Sequence, residues 1–266
     1  MATRRAFLAG LTALALAAPI SALAADPPDL GGKTVVVVTE NAYPPLQFVD
    51  PKTGQAIGWE YDAMAAIAQK LNFKPEYQNT SWDAMIQAVS DGQYQIGMTG
   101  ITIKEERKAK VDFSDPYMRS QQFMLVRGDE KRFADAKTFA AFEAGLVGAQ
   151  PGTTPFFTAV YDVLDGNEQN PRIKLFETFG ATVQALKAGD VDVVLTDGTA
   201  GKGYVDASGG QLKLVGGPLG TEDFGFIFSK RSELVAPVNA AIAALMADGT
   251  LDALNKKWFL DYKMGQ

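Results

Sequence analysis

The chain has 266 residues, 25 Lys and Arg against 31 Asp and Glu for a formal net charge of −6, and neither cysteine nor histidine. That composition excludes disulfides, lipid attachment through cysteine and any Cys-His or Ser-His-Asp nucleophile system, and it removes the commonest zinc ligand. The acidic balance argues against nucleic acid and anionic lipid as partners, since both need a basic face.

Residues 1–25 read as a secretory leader. Arg4 and Arg5 are followed by an apolar run from Ala6 to about Ile20 and by the small-x-small site Ala22-Leu23-Ala24. The run is too short to span a bilayer, which takes about 20 residues. The leader carries two arginines and no acids, so its removal leaves a more acidic chain that is expected in the periplasm, by the Sec or the twin-arginine route.

The first element of the mature chain is Val35-Val36-Val37-Val38, a continuous β-branched run that reads as a buried strand of a parallel sheet. Residues 61–71 follow with Met64, Ile67, Ala68 and Leu71 at helical spacing. Ser81 is expected to cap a second helix with Trp82, Met85, Ile86 and Val89 on one face and Gly92 as its stop. A short strand over 96–99 comes next. Thr102, three residues before Glu105, has capping-box spacing, with Arg107 one turn further on.

The pattern then recurs. Ala84 to Gly92 aligns without gaps with Ala181 to Gly189, each a helix, a glycine stop and a strand ending in a polar loop. Two related lobes are expected, in an α/β fold. Their strand ends lie at 39–45, 79–82, 99–107, 150–154 and 196–199. Ligands of open α/β sheets sit at such ends. The apolar runs 121–126 and 223–228 are expected as the crossings between lobes, and the helical chain after Ser229, ending at Trp258-Phe259, should return to the first lobe. Lobe 1 is thus expected over 26–120 and 225–266, and lobe 2 over 121–224.

Several residues at these ends suit a zwitterion. A free carboxylate needs a planar bidentate donor and a hydroxyl or N–H nearby, which Arg107 and Thr102 supply. Gly152-Thr153-Thr154 opens a helix over 155–164 and adds amides at its positive end. Asp197, at the end of a strand over 191–196, is either an N-cap or the partner of an ammonium. Tyr43, in a Pro-Pro loop, and Trp82 could wall a ligand side chain, although Trp82 also belongs to the helix's core stripe.

At this point the chain resembles the periplasmic solute-binding proteins of polar amino-acid ABC importers. The resemblance is carried by Tyr43-Pro44-Pro45, Gly100-Ile101-Thr102 with Arg107, Val111-Asp112-Phe113-Ser114-Asp115-Pro116-Tyr117, Gly152-Thr153-Thr154, Ala185-Leu186-Lys187-Ala188-Gly189, and Asp248-Gly249-Thr250 with Trp258-Phe259, in order over nearly the whole mature chain. It implies a hinged two-lobed protein of the type II periplasmic-binding fold, each lobe a small, mostly parallel sheet flanked by helices. It further implies that Thr102 and Arg107, with an amide near Thr154, hold an α-carboxylate. Asp197 and the Gly100 carbonyl would hold the α-ammonium, and Tyr43 and Trp82 the side chain. Glu40, where many members carry aspartate, and Gln150, before the less usual Pro151, stand where side-chain selectivity is set. Glu40 favours a polar ligand, basic or amide, since a buried acid wants a donor. The expected protein is a monomer without cofactor or metal that is not an enzyme and hands its amino acid to a membrane permease. The alternatives are a cyclohexadienyl dehydratase-like enzyme on the same scaffold, with Glu40 or Asp197 as its acid, and a ligand-sensing domain for a separate membrane partner.

Overall fold

A computed structural model describes residues 27–263, and the leader expected over residues 1–25 lies outside them. The first lobe begins with β1 (Thr34–Thr39). A small antiparallel flap follows, β2 (Ala42–Tyr43), β3 (Gln47–Val49) and β4 (Ala56–Ile57). Then come α1 (Trp59–Leu71), β5 (Lys74–Asn79), α2 (Trp82–Ser90), β6 (Ile96–Gly97), α3 (Glu105–Lys108) and β7 (Val111–Phe113). The long strand β8 (Met118–Arg127) leads to α4 (Ala136–Ala141), β9 (Val147–Ala149), α5 (Thr154–Thr158), β10 (Ile173–Leu175), α6 (Phe179–Ala188), β11 (Val193–Asp197), α7 (Gly198–Ala207) and β12 (Leu212–Val215). The chain returns along β13 (Thr221–Phe224) and β14 (Ile227–Ser229) and closes with α8 (Val235–Ala247), α9 (Thr250–Asn255) and a π-helical turn over Lys256–Asp261.

The two main sheets have one strand order. The first runs β5-β1-β6-β14-β7 and the second β10-β9-β11-β8-β12. In each, three neighbouring strands are parallel and a fourth lies antiparallel beside them, β14 in one and β8 in the other. The internal repeat read from the sequence is part of this equivalence, because α2 with β6 matches α6 with β11. Each sheet is covered on both faces. Val37 packs toward α1 and α8, its neighbour Val38 toward α2, which is why the Val35–Val38 run is apolar throughout instead of alternating. Met124 and Val126 face one core of the second lobe and Leu125 the other.

The crossing differs in part from expectation. Residues 122–127 of β8 lie inside the second sheet, paired with β11 and β12. The strand pair that joins the sheets is the other end of β8 against β13, with Thr221 opposite Gln121, Glu222 opposite Ser120, Asp223 opposite Arg119 and Phe224 opposite Met118. Met124, Leu125 and Val126 are apolar because they are core, at 0–1% exposure, not because they bridge lobes. The expected helix over 155–164 is also interrupted: α5 ends at Thr158 and a π-helical turn covers Ala159–Val163. The C-terminal chain packs on the first lobe as expected. Val238, Ala241, Ile242, Leu245 and Trp258 join its core, Trp59 Nε1 donates to Asn255 Oδ1 at 2.8 Å, and Trp258 Nε1 donates to Asp62 Oδ2 at 2.7 Å. No helix among the described residues is long and apolar enough to cross a membrane.

Candidate functional site

The carboxyl ends of β1, β5, β6, β9 and β11 converge between the lobes, the placement favoured by parallel sheets. A narrow cleft of about 40 Å³ lies there. Of the nine residues singled out in the sequence, eight line it: Glu40, Tyr43, Trp82, Gly100, Thr102, Arg107, Gln150 and Thr154. Asp197 does not. It is fully buried behind the lining.

Arg107 is the central cation. It is 5% exposed, and its guanidinium carbon lies 4.9 Å from the Trp82 ring. Nη1 donates to the Thr102 carbonyl at 3.0 Å and Nη2 to the Gly152 carbonyl of the second lobe at 3.2 Å. Among the described residues it makes no ion pair. Burial pulls its pKa down to about 10, against the pull of Glu106 and Glu222. A buried guanidinium hydrogen-bonded only to carbonyl oxygens suits an incoming carboxylate.

Thr102 is not the cap that its spacing suggests. Lys104 takes the N-cap position of α3, and the Thr102 hydroxyl donates to Glu222. It accepts in turn from the Thr154 hydroxyl at 2.8 Å, a contact between lobes. The helix begins two residues later than the spacing implies, so the Thr102 hydroxyl lies outside it and bridges Glu222 and Thr154. Ser81 occupies its N-cap position but makes no side-chain bond to the helix. In α5 the capping hydroxyl is that of Thr153, which accepts from the Phe156 amide at 3.1 Å.

Asp197 is an N-cap: Oδ1 accepts from the Thr199 and Ala200 amides at 2.8 and 3.1 Å, and from the Ser120 hydroxyl at 3.2 Å. Its Oδ2 has no hydrogen-bond partner among the described residues. Burial raises the Asp197 pKa, against the nearby Tyr43 hydroxyl first and then these bonds.

On the opposite side of the cleft, Gln150 Nε2 donates to Glu40 Oε1 at 2.6 Å across the lobes and to the Glu177 carbonyl at 2.8 Å. Burial pushes Glu40 up to about 7, although the Gln150 bond and the Trp82 amide oppose it. Tyr43 packs edge-on against Phe179 of the second lobe with centroids 4.9 Å apart. Trp82 keeps both of its readings, since it packs with Met85 and Val89 and also walls the cleft.

Two acids were missed. Glu222 lines the cleft from β13, accepting from Thr102 and from Gln122 Nε2. Burial and then the charge of Asp197 raise its pKa. Strand alternation was the available signal, because Glu222 shares a strand face with buried Phe224. Glu60 is fully buried under the Gly100 turn. Its Oε1 accepts from the Gly100 amide at 2.9 Å and from the Tyr117 hydroxyl, and burial pushes it up to about 7. Its position on the same helical stripe as Ala63, Met64, Ile67 and Leu71 marked an acid in a core face.

The cleft therefore presents one guanidinium and two carboxyls, Glu40 and Glu222, whose pKa values burial raises, with aromatic walls. Among the described residues no group of His, Cys, Asp or Glu is arranged to hold a metal ion.

The chain is similar to characterised proteins over almost its full length. It is 30% identical to the L-cystine-binding protein TcyJ of Escherichia coli strain K12, over 96% of this chain and 95% of that one. The arginine-, lysine-, histidine-binding protein ArtJ of Geobacillus stearothermophilus superposes with a TM-score of 0.78 at 30% identity, covering 86% of this chain and 96% of that one. The ancestral amino acid-binding protein AncCDT-1, a precursor of cyclohexadienyl dehydratase, gives a TM-score of 0.76 at 33% identity, with 85% and 95% covered. The two-lobed fold of these neighbours is the type II periplasmic-binding fold described above. Residues 35–261 match the family profile directly, and the chain belongs to the bacterial extracellular solute-binding proteins, family 3.

Proposed function

We propose that the protein captures one L-amino acid with a polar side chain, cationic or amide, between its lobes and delivers it to the permease of an ABC importer. The observation that carries this reading is the buried Arg107, stacked on Trp82 and without an ion-pair partner among the described residues, at the centre of a cleft otherwise rich in carboxyls. Arg107, Thr102 and Thr154 take the α-carboxylate. The ammonium goes to the acid side, where Asp197 and the Gly100 carbonyl were expected and where Glu222 also stands. Glu40 and Gln150 meet the ligand side chain, between the Tyr43 and Trp82 walls. An additional positive charge on the ligand balances a cleft with more acids than bases, and the similarity to ArtJ, an arginine-, lysine-, histidine-binding protein, is in keeping with this.

In this reading lobe 1 comprises 26–120 and 225–266 and lobe 2 comprises 121–224, the β8–β13 pair acts as the hinge, and the exported monomer closes because a ligand touches both lobes only in the closed form. It assigns the protein no catalysis. Incubation with prephenate and arogenate tests that part, and loss of either substrate contradicts it. The binding assignment is tested by thermal shift of the refolded mature chain with the twenty amino acids. A ligand at about 100 times its Kd stabilises by about 2.7 kcal/mol, and a rise of several degrees with arginine, lysine, histidine or glutamine is expected. No rise with any amino acid contradicts the reading.

A further inference from the structure

The hinge itself carries a carboxylate into the cleft. Glu222 stands on β13 opposite Ser120 of β8. The Ser120 hydroxyl donates to Asp197. Gln122, opposite Asp197 in the β8–β11 pairing, donates to Glu222. The two acids are thus tied to the same three-residue stretch of β8, one from the hinge and one from a strand end of the second lobe. Both are buried, at 6% exposure for Glu222 and 0% for Asp197, yet only Glu222 reaches the cleft wall, while Asp197 Oδ2 lacks a partner among the described residues.

The other charged and titratable groups that face the pair are few. Arg107 and Lys104 of the first lobe attract Glu222, and Arg107 is held by two carbonyls instead of a carboxylate. Glu60 adds a like charge beneath Asp197. The phenols of Tyr43 and Tyr117 are raised well above their usual range, chiefly by burial, and stay neutral. Two buried carboxyls tied to one stretch of strand do not both ionise cheaply, so each raises the other's pKa and a proton on one eases ionisation of the other.

Resting on the amino-acid reading above, we propose that Glu222 is the carboxylate that meets the ligand's α-ammonium, and that the ammonium displaces a proton held on the buried Glu222 and Asp197 carboxyls. The only bond broken is a carboxyl O–H. Its proton leaves to solvent, and the ammonium takes its place against the Glu222 carboxylate at the cleft wall. Thr102 couples the event to closure, because its hydroxyl links Thr154 of the second lobe to Glu222 on the hinge. Binding is therefore linked to proton release, and affinity rises with pH while the pair is protonated, by up to about tenfold per pH unit for one proton.

The test is calorimetric titration of the refolded mature chain with L-arginine near neutral pH, in buffers of different ionisation enthalpy. The expected result is a buffer-dependent heat that corresponds to net proton release. Glu222→Gln should reduce that release and weaken binding about tenfold or more, and the same reduction is expected with L-glutamine, whose neutral side chain does not ionise Glu40. A buffer-independent heat in the wild type overturns the proposal even if the variant does not fold. So does unchanged proton release in Glu222→Gln. Failure of the wild type to bind L-arginine, L-lysine, L-histidine, L-glutamine or L-cystine at any pH is a different result: it removes the amino-acid reading on which the proposal rests, and the proposal with it.

Discussion

The Arg107 guanidinium lies 4.9 Å from the Trp82 ring and donates across the cleft to the Gly152 carbonyl. One first-lobe side chain is thus fixed by an aromatic face of its own lobe and read by the backbone of the other. Arg107→Lys keeps the charge but loses the planar fork. It is expected to weaken L-arginine binding by about 2 kcal/mol or more, roughly thirtyfold, with the melting temperature of the protein alone little changed. Titration calorimetry checks it, and wild-type affinity in the lysine variant contradicts the carboxylate assignment.

Selectivity should reside in the Glu40–Gln150 pair. Glu40→Gln removes a buried acid while keeping an acceptor for Gln150 Nε2. The expected change is in preference: affinity for L-arginine falls by about tenfold relative to L-glutamine, the order of one charge-assisted bond. Parallel titrations with both amino acids measure the ratio, and an unchanged ratio places the side chain elsewhere.

Closure can be obstructed without touching the site. Gly203 lies in α7 of the second lobe, and a Cβ there would come within 2.8 Å of the Pro44 carbonyl and 2.9 Å of Pro45 Cδ in the first lobe, beside the bond from the Tyr204 hydroxyl to the Ala42 carbonyl. Within a helix, alanine gains about 1 kcal/mol over glycine. Gly203→Ala is therefore expected to melt no lower than wild type without amino acid, yet to bind about tenfold more weakly, because the closed form is the one penalised. Equal affinity would show that the lobes close without this contact.

Glu60 predicts a pH dependence of stability. Burial pushes its folded pKa up to about 7, above the ordinary carboxylate value of 4.5. Between these values the folded state holds a proton that the unfolded state lacks. The stabilisation is complete below about 4.5 and is lost as pH rises through about 7, by at most about 3 kcal/mol. Glu60→Gln keeps an acceptor for the Gly100 amide and the Tyr117 hydroxyl and should flatten that part of the curve. Urea unfolding at both ends of the window measures it, and an identical slope in the variant contradicts it.

Much of this was legible in the sequence where a single period governed the residues. The Val35–Val38 run, the stripe of α1 and the repeated helix-glycine-strand unit gave two related lobes, each with its own sheet. Parallel topology then placed Glu40, Trp82, Arg107 and Gln150 at strand ends. What stayed hidden depended on partners distant in sequence. Thr102 had the spacing of a cap, and only the return of β13 brings Glu222 to its hydroxyl. Asp197 suited both a cap and an ammonium partner, and the fold draws its Oδ1 into α7 while Glu222 takes the cleft wall. The apolar run 121–126 has the composition of a hinge strand, but its pairing with β11 and β12 makes it core. Nothing local to these segments distinguishes the outcomes.

The central claim is that Arg107 clamps an α-carboxylate. The most direct measurement is a side-by-side titration of the refolded mature chain with L-arginine and with agmatine, which has the same side chain and no carboxylate. The account predicts saturable binding of L-arginine and at least a hundredfold weaker binding of agmatine, about 3 kcal/mol for one buried charge-assisted pair. Agmatine binding as tightly as L-arginine would contradict it.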